Sequence, residues 1–432
     1  MGRKLFKNVM IFDGTGKKSY AGEVLVQGNQ INKVAKGKGQ IEAGDADVVD
    51  AAGATLMPGL VEPHAHVTYT NCTMLPGIGE LPPEEHMVLA LEHAKIMLDQ
   101  GFTSLFSAAG TSKIRIEPVL RDTINAGKFP GPRMRAASPE INSTGGLGDE
   151  RLLHMHRESV GLLADGPVEV MRAARLCARE GCDTIKINIS GDQFQRNCGN
   201  EALAYSDEEV AAYVWVCKER GLNMATHARG DRAVRMALKH GIPIIYHADF
   251  ATEETIDMLE ARKKDIFMAP AAGIIYTTAY EAKDWGFDEP TVEKWGLKRT
   301  LESTIKTYTE IRKRGIRAMP GGDYGFAWAP VGVNARDLEH FVNLFGYTPL
   351  EALRAATQWG GELMKMNVGI VKPGYLADLL LVDGDVTQDV TLLQDKENFI
   401  MIMKDGEYYK APSAKRLGQR RQGGKVAAVA AE

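Results

Sequence analysis

The chain has 432 residues, 44% of them hydrophobic and 25% charged, with a formal net charge of -4. This balance excludes bulk disorder and gives no general attraction to nucleic acid or an anionic membrane surface, so a small molecule is the expected partner. No run approaches the roughly 18 consecutive apolar residues of a membrane span, and MGRKLFKNVMIFDG lacks the apolar core and cleavage site of a secretion signal; a cytoplasmic location is expected.

In chain order, residues 1–55 predict short strands, with IFDG, YAGEVLVQGNQINKVA and ADVVDAAG supplying apolar alternation broken by Gly, Asn and Asp turns. Residues 367–412 repeat the style, with GYLADLLLVDGDV and FIMIMKDGEYYK closed by Asp-Gly turns. Neither end has enough strands to bury a face alone, so the two are expected to share one sheet in a small composite β domain. Residues 413–432 lose periodicity and become basic, then small, which predicts a mobile or oligomer-bound tail.

Between the ends, residues 56–366 alternate strand-like runs with amphipathic helical stretches, the mark of βα units and a parallel sheet. The candidate strands are LMPGLVEPHAH, FTSLFSAAG, MRAASPEI, TIKINIS, NMATHA, PIIYHA, IFMAPAA and RAMPGGD. Eight such units predict an α/β fold built as a (β/α)8 TIM barrel. Ser206 with Glu209 forms a capping box before VAAYVWVCKER, which Gly221 closes, and Thr348 with Glu351 forms another around Pro349. The five cysteines include no C-x-x-C pair and are read as reduced, mostly buried thiols.

His64 and His66 end the first candidate strand two residues apart, a spacing that turns both imidazoles to one face. A lone H-x-H is weak, and His154 with His156 is a second instance in an apparent loop. Position separates them: His227, His247 and Asp323 also end candidate strands, and strand C-termini share one mouth in such a barrel. Lys186 in TIKINIS would bring an ammonium beside metal cations. Reaction of its neutral amine with carbon dioxide would make a carbamate able to bridge two metals.

With these residues in view, the chain resembles the amidohydrolase superfamily of metal-dependent hydrolases over nearly its whole length. PGLVEPHAH, GFTSLFSAAG, INSTGGLGD, DTIKINISGD, GIPIIYHADF, GIRAMPGGDYG and VKPGYLADLLLVDGD carry the resemblance, within the branch of imidazolonepropionase-like and Xaa-Pro dipeptidase-like enzymes. The resemblance implies a distorted barrel with a composite β-sandwich and a binuclear centre. It makes His64, His66 and Asp323 ligands of the more buried metal, His227 and His247 ligands of the second, and Lys186 the carbamate bridge. Glu62, Tyr246, Ala248 and Tyr324 depart from the usual pattern beside these ligands.

Two divalent cations sharing a water would generate hydroxide near neutral pH, with Asp323 as the proton carrier. Zinc is the default metal, with manganese, cobalt or iron as alternatives. The expected reaction is hydrolysis of a C–N bond in a hydrophobic amide, carbamate, urea or anilide, or N-acyl or prolyl dipeptide. Tyr69, Phe194, Tyr276 and Phe326 are expected to contact substrate, and Arg229 to clamp a substrate carboxylate unless a nearby Asp pairs with it. The aromatic segment Gly273–Gly296 is read as a lid or as a satellite core. A deaminase or cyclic-amide hydrolase and a catalytically silent assembly protein are the alternatives. A homo-oligomer is expected, with no nucleic acid or membrane partner.

Overall fold

The computed structural model describes residues 2–111 and 115–420. The chain forms two compact units: residues up to Val61, Met97–Ser104 and from Tyr347 onward make one, and Glu62–Ile96 with Leu105–Gly346 make the other.

In the first unit the two ends of the chain share an eight-stranded sheet. Its path runs Glu407–Lys410, Phe399–Lys404, Leu379–Val382, Thr55–Pro58, Arg3–Ile11, Tyr20–Gln27 and Gln30–Lys36, with Asp47–Asp50 paired alongside Arg3–Ile11. The junction of the ends is the antiparallel pairing of Leu380 with Met57 and Leu381 with Leu56. One buried face gathers Phe6, Val24, Leu56, Leu379 and Met401, the apolar alternates of strands distant in sequence. The Asp405–Gly406 turn between Phe399–Lys404 and Glu407–Lys410 has φ of 52° and 72°, the left-handed geometry that makes Asp-Gly a hairpin signal. Of the C-terminal tail, residues 414–420 are helical and Leu417 joins this core; the expectation for 421–432 lies outside the described residues.

The second unit is α/β. A six-stranded sheet runs Leu162–Leu163, Ile141–Asn142, Thr184–Asn188, Asn223–Gly230, Ile244–Phe250 and Phe267–Ala269, and every pairing in it is parallel. This unit also holds Glu62–Ala65, Leu105–Ser107 and Arg133–Arg135, its parts of a separate three-stranded sheet. Parallel bridges Gly110–Pro139 and Ala137–Thr184 link neighbouring strand ends. Helices such as Gly166–Arg179, Asp207–Arg220 and Asp231–His240 alternate with the strands. Both predicted capping boxes form, and Gly221 ends its helix with φ 65°.

One expectation needs correction. RAMPGGD is no regular strand; it makes one bridge, Met268–Ala318, because Pro320 and two glycines follow at once. The aromatic segment read as a lid or a satellite core folds into helices Ala272–Tyr280 and Glu289–Lys294 with a short turn at Lys283–Trp285, and Ala279, Val292 and Leu297 form a small buried cluster there.

Candidate active site

Parallel register and side-chain alternation bring the chemistry-bearing residues of the second unit to one end of its strands. Ala228 pairs with His247, so His227 and His247 lie within one residue of the same level, and Lys186, paired with Ala225 two residues before His227, lies below them on the adjacent strand with a side chain long enough to reach up. A break in alternation completes the set. His247 and Ala248 have φ of 76° and 56°, and this bulge turns Tyr246 and His247, which would otherwise face opposite ways, to the same side.

The imidazoles form a connected group. His66 lies 5.2 Å from His64 between ring centroids, His64 5.4 Å from His247, and His247 4.2 Å from His227. Asp323 Oδ1 is 3.1 Å from His66 Nε2 and 3.8 Å from His64 Nε2. Tyr246 stacks on His64 at 4.0 Å, and Lys186 Nζ sits 4.5 Å above the Tyr246 ring. The structure thus brings together all six residues singled out around the first H-x-H, whereas His154 and His156 are exposed.

Burial sets the protonation of this group. It pushes His64 and His247 well below the ordinary imidazole range, against the attraction of Asp323 in the case of His64, and lowers His227 to about 3 with help from Arg229. Burial also lowers Lys186, opposed by Glu140 and Asp323. For Asp323 burial acts upward, but His64, His66 and Lys186 outweigh it and hold the carboxyl well below its usual range. The result is neutral rings at His64, His227 and His247 near an ionised Asp323.

This donor set fits divalent transition metals. One ligand atom each from His64, His247 and Asp323 lies within 4.8 Å of the others, and the buried Nδ1 atoms of His64 and His247 have no hydrogen-bond partner among the described residues. His66 Nδ1 donates to Ala109 O at 2.9 Å, which fixes the ring with Nε2 toward Asp323, and His227 Nε2 donates to Gly191 O at 3.0 Å, which leaves the lone pair on Nδ1 of His227.

Several groups here carried no clear sequence signal. Buried Glu140 accepts from Asn188 Nδ2 at 3.0 Å and is the strongest charge acting on Lys186. Its one cue is an acid in the otherwise apolar run ending a candidate strand. Glu62 accepts from His64 N at 2.9 Å and from Asn334 Nδ2 at 3.0 Å, and burial raises it to about 8. Arg229 is buried between two aspartates, with Nε donating to Asp192 at 2.6 Å and Nη1 to Asp249 at 2.5 Å, so the pairing alternative describes its surroundings.

An aromatic path leads away from the histidines. Tyr69 stacks on His66 at 4.1 Å and meets Phe326 at 5.5 Å; Phe326 stacks on Trp328 at 5.3 Å, and Trp328 meets Phe287 at 4.8 Å. Phe194, Phe287, Trp295, Phe326 and Trp328 line a cavity of about 390 Å³ together with Ile274. Tyr276 faces elsewhere: two residues beyond Ile274 on the same helix, or about 200° around it, it packs on Tyr280 and His340.

Comparison with known proteins agrees with this architecture. Residues 55–408 match the amidohydrolase family. Ochratoxinase of Aspergillus niger is 26% identical over 383 residues, covering 83% of this chain and 76% of that protein. A crystal structure of a Xaa-Pro dipeptidase with methionine bound in its active site matches 95% of this chain and 100% of its own, with a TM-score of 0.83 and 26% identity. Phenylurea hydrolase B, 20% identical over 94% of this chain and 96% of its own, shares the fold with a TM-score of 0.73. The chain belongs to the amidohydrolase family and is a hydrolase that acts on C–N bonds.

Proposed function

We propose that this protein is a binuclear metal-dependent hydrolase that cleaves the C–N bond of a hydrophobic amide, carbamate, urea or N-acyl or prolyl dipeptide. One observation carries the proposal: four imidazoles, a lysine and a carboxylate meet in a buried centre in which His64 Nδ1 and His247 Nδ1 are unpartnered among the described residues. In this reading His64, His66 and Asp323 would hold one cation, His227 and His247 a second, and Lys186, as a carbamate, would serve as a further ligand. Zinc is the expected metal. Bound divalent cations supply Lewis-acid polarisation of a carbonyl and activation of water.

The chain supplies the rest. Burial of Lys186 favours the neutral amine that carbon dioxide requires. Asp323, kept ionised, takes up a proton at its carboxylate and passes it to the departing nitrogen. Arg229, held by Asp192 and Asp249, steadies the strand end that bears His227. Tyr69, Phe194 and Phe326, with Phe287 and Trp328, receive the apolar part of the substrate and keep water from it. The likeness to a Xaa-Pro dipeptidase supports a dipeptide-like amide within this class. For the scaffold, we read residues 56–366 as a distorted (β/α)8 barrel, supported by the parallel bridges Ala137–Thr184 and Met268–Ala318. Residues 1–55 and 367–412 then form the companion β domain.

The test is metal analysis of purified, zinc-reconstituted protein with assays against dipeptides, anilides, ureas, carbamates and lactams. Two metals per chain and turnover of an aromatic amide, lost in Asp323→Asn, are expected. One metal, an unmodified Lys186 and turnover restricted to lactams would favour the cyclic-amide hydrolase instead, and failure to retain any metal would sink both.

A further inference from the structure

We propose that Tyr324 and Asp337 form a positioning pair that holds Asp323 in its working backbone conformation and so sets how firmly the site retains metal. This rests on the reading of Asp323 as a metal ligand given above. Asp323 has φ 61°, a left-handed conformation that side-chain-bearing residues seldom adopt without support. The next residue supplies an anchor. Tyr324, 1% exposed, donates from Oη to Asp337 Oδ1 at 2.9 Å, and Asp337, 0% exposed, lies in the first turn of the helix Arg336–Asn343.

The surroundings are shaped for this pair. A Cβ on Gly322 would come within 2.1 Å of the Tyr324 ring, and one on Gly273 within 2.3 Å of Tyr324 Oη; either would also crowd Asp337 Oδ1, at 2.7 and 2.8 Å. Ile274 N donates to Gly322 O at 2.8 Å, closing the cradle. Only glycine fits at both positions, and the space they leave is filled by the tyrosine–aspartate bond.

The same short stretch grips the other metal-binding segment. Asn334, three residues before Asp337, donates to Glu62 Oε2 at 3.0 Å, while Glu62 Oε1 accepts from His64 N at 2.9 Å. A Cβ on Gly321 would meet His64 Cβ at 2.8 Å, so the segments bearing His64 and Asp323 are in close contact. Residues 334–337 therefore tie both segments to one helix start. Reorienting Asp323 would require breaking a buried O–H···O bond.

The experiment compares Tyr324→Phe, Asp337→Ala, Asp337→Asn and Asp323→Asn by zinc competition with a chromogenic chelator, by kcat and KM on an aromatic amide, and by melting of the metal-free proteins. Tyr324→Phe and Asp337→Ala are expected to weaken zinc retention by about 10- to 100-fold, the range usual for groups that orient metal ligands. Both should lower kcat with little change in KM. Asp337→Asn keeps an acceptor oxygen and should recover most of the loss, which a change in packing alone would not produce. Should Tyr324→Phe fail to fold, the Asp337→Ala and Asp337→Asn pair carries the same comparison. Zinc retention falling in Asp323→Asn but unchanged in Tyr324→Phe and Asp337→Ala overturns the positioning role alone. Unchanged retention in Asp323→Asn overturns the reading of the site and this proposal with it.

Discussion

Asp323 and Lys186 are the two side chains whose charge the buried site must manage, and each can be tested singly. Asp323 touches two histidines and stays ionised against its burial, so Asp323→Asn keeps the shape and removes the carboxylate proposed to carry the proton. Its kcat is expected to fall by at least about a hundredfold, read by steady-state kinetics, since positioned proton transfer contributes on the order of 10² to 10⁴. Lys186→Ala should lose metal and activity together and regain part of both with added short-chain carboxylic acid; undiminished turnover without the acid would contradict its role as a ligand. Arg229 offers a different contrast. Its guanidinium lies 2% exposed between Asp192 and Asp249, so Arg229→Met strands two buried carboxylates. Urea unfolding should show a loss of about 3–5 kcal/mol, the cost of breaking a buried pair from one side.

At the scale of elements, the aromatic segment between Ala272 and Trp295 explains why composition alone misplaces a contact. Helical geometry sends Ile274 to the cavity and Tyr276 to His340, while Phe287, in the turn before the next helix, joins Trp295 and Phe194 on the cavity wall. On the proposed function the wall would serve substrate binding rather than bond breaking. Phe287→Ala and Trp295→Ala are therefore expected to raise KM for aryl amides roughly ten- to hundredfold with kcat little changed, as loss of about 1.5–3 kcal/mol of apolar burial implies. Equal losses in kcat would place these rings in the chemistry instead. The strand bulge at His247 and Ala248 has the opposite importance: it contributes little area but delivers two consecutive rings, Tyr246 and His247, to one face.

For the whole molecule, a ligand that binds only the folded state must stabilise it. Chelation is expected to lower Tm, and zinc to restore it, because the six gathered side chains are distant in sequence and come together only on folding. A second global effect is linked to pH through Glu117, which is 2% exposed and accepts from Ala137 N at 2.8 Å and Ser107 Oγ at 2.9 Å. Burial raises its carboxyl from 4.5 to about 7. With the folded value above the unfolded one, its contribution is fully present below the unfolded value and is lost as pH rises through the folded one. Denaturant unfolding of the metal-free protein should lose on the order of 1–3 kcal/mol across that window relative to Glu117→Gln; parallel pH profiles for the two proteins would refute it.

The local signals in the sequence were those with a short-range cause. His64, His66, Lys186, His227 and His247 stood out because polar, metal-type side chains sat in or at the ends of apolar strand runs, where alternation and parallel packing direct them to one end, and Asp323 joined them from an apparent strand that the fold does not form. The capping boxes at Ser206 and Thr348 and the Asp405–Gly406 hairpin were equally readable, each being a hydrogen-bond pattern or a backbone preference confined to a few residues. Tyr246 was not, since a bulge overrides period-two alternation, and neither was the irregular path of RAMPGGD, which depends on glycines packed against other segments. Glu140, Glu62, Asn334 and Asp337 were invisible as a network because their partners lie up to 272 residues away. Composition and spacing determined which residues could do chemistry; long-range packing decided which face each presents, how its charge is held and what lies beside it.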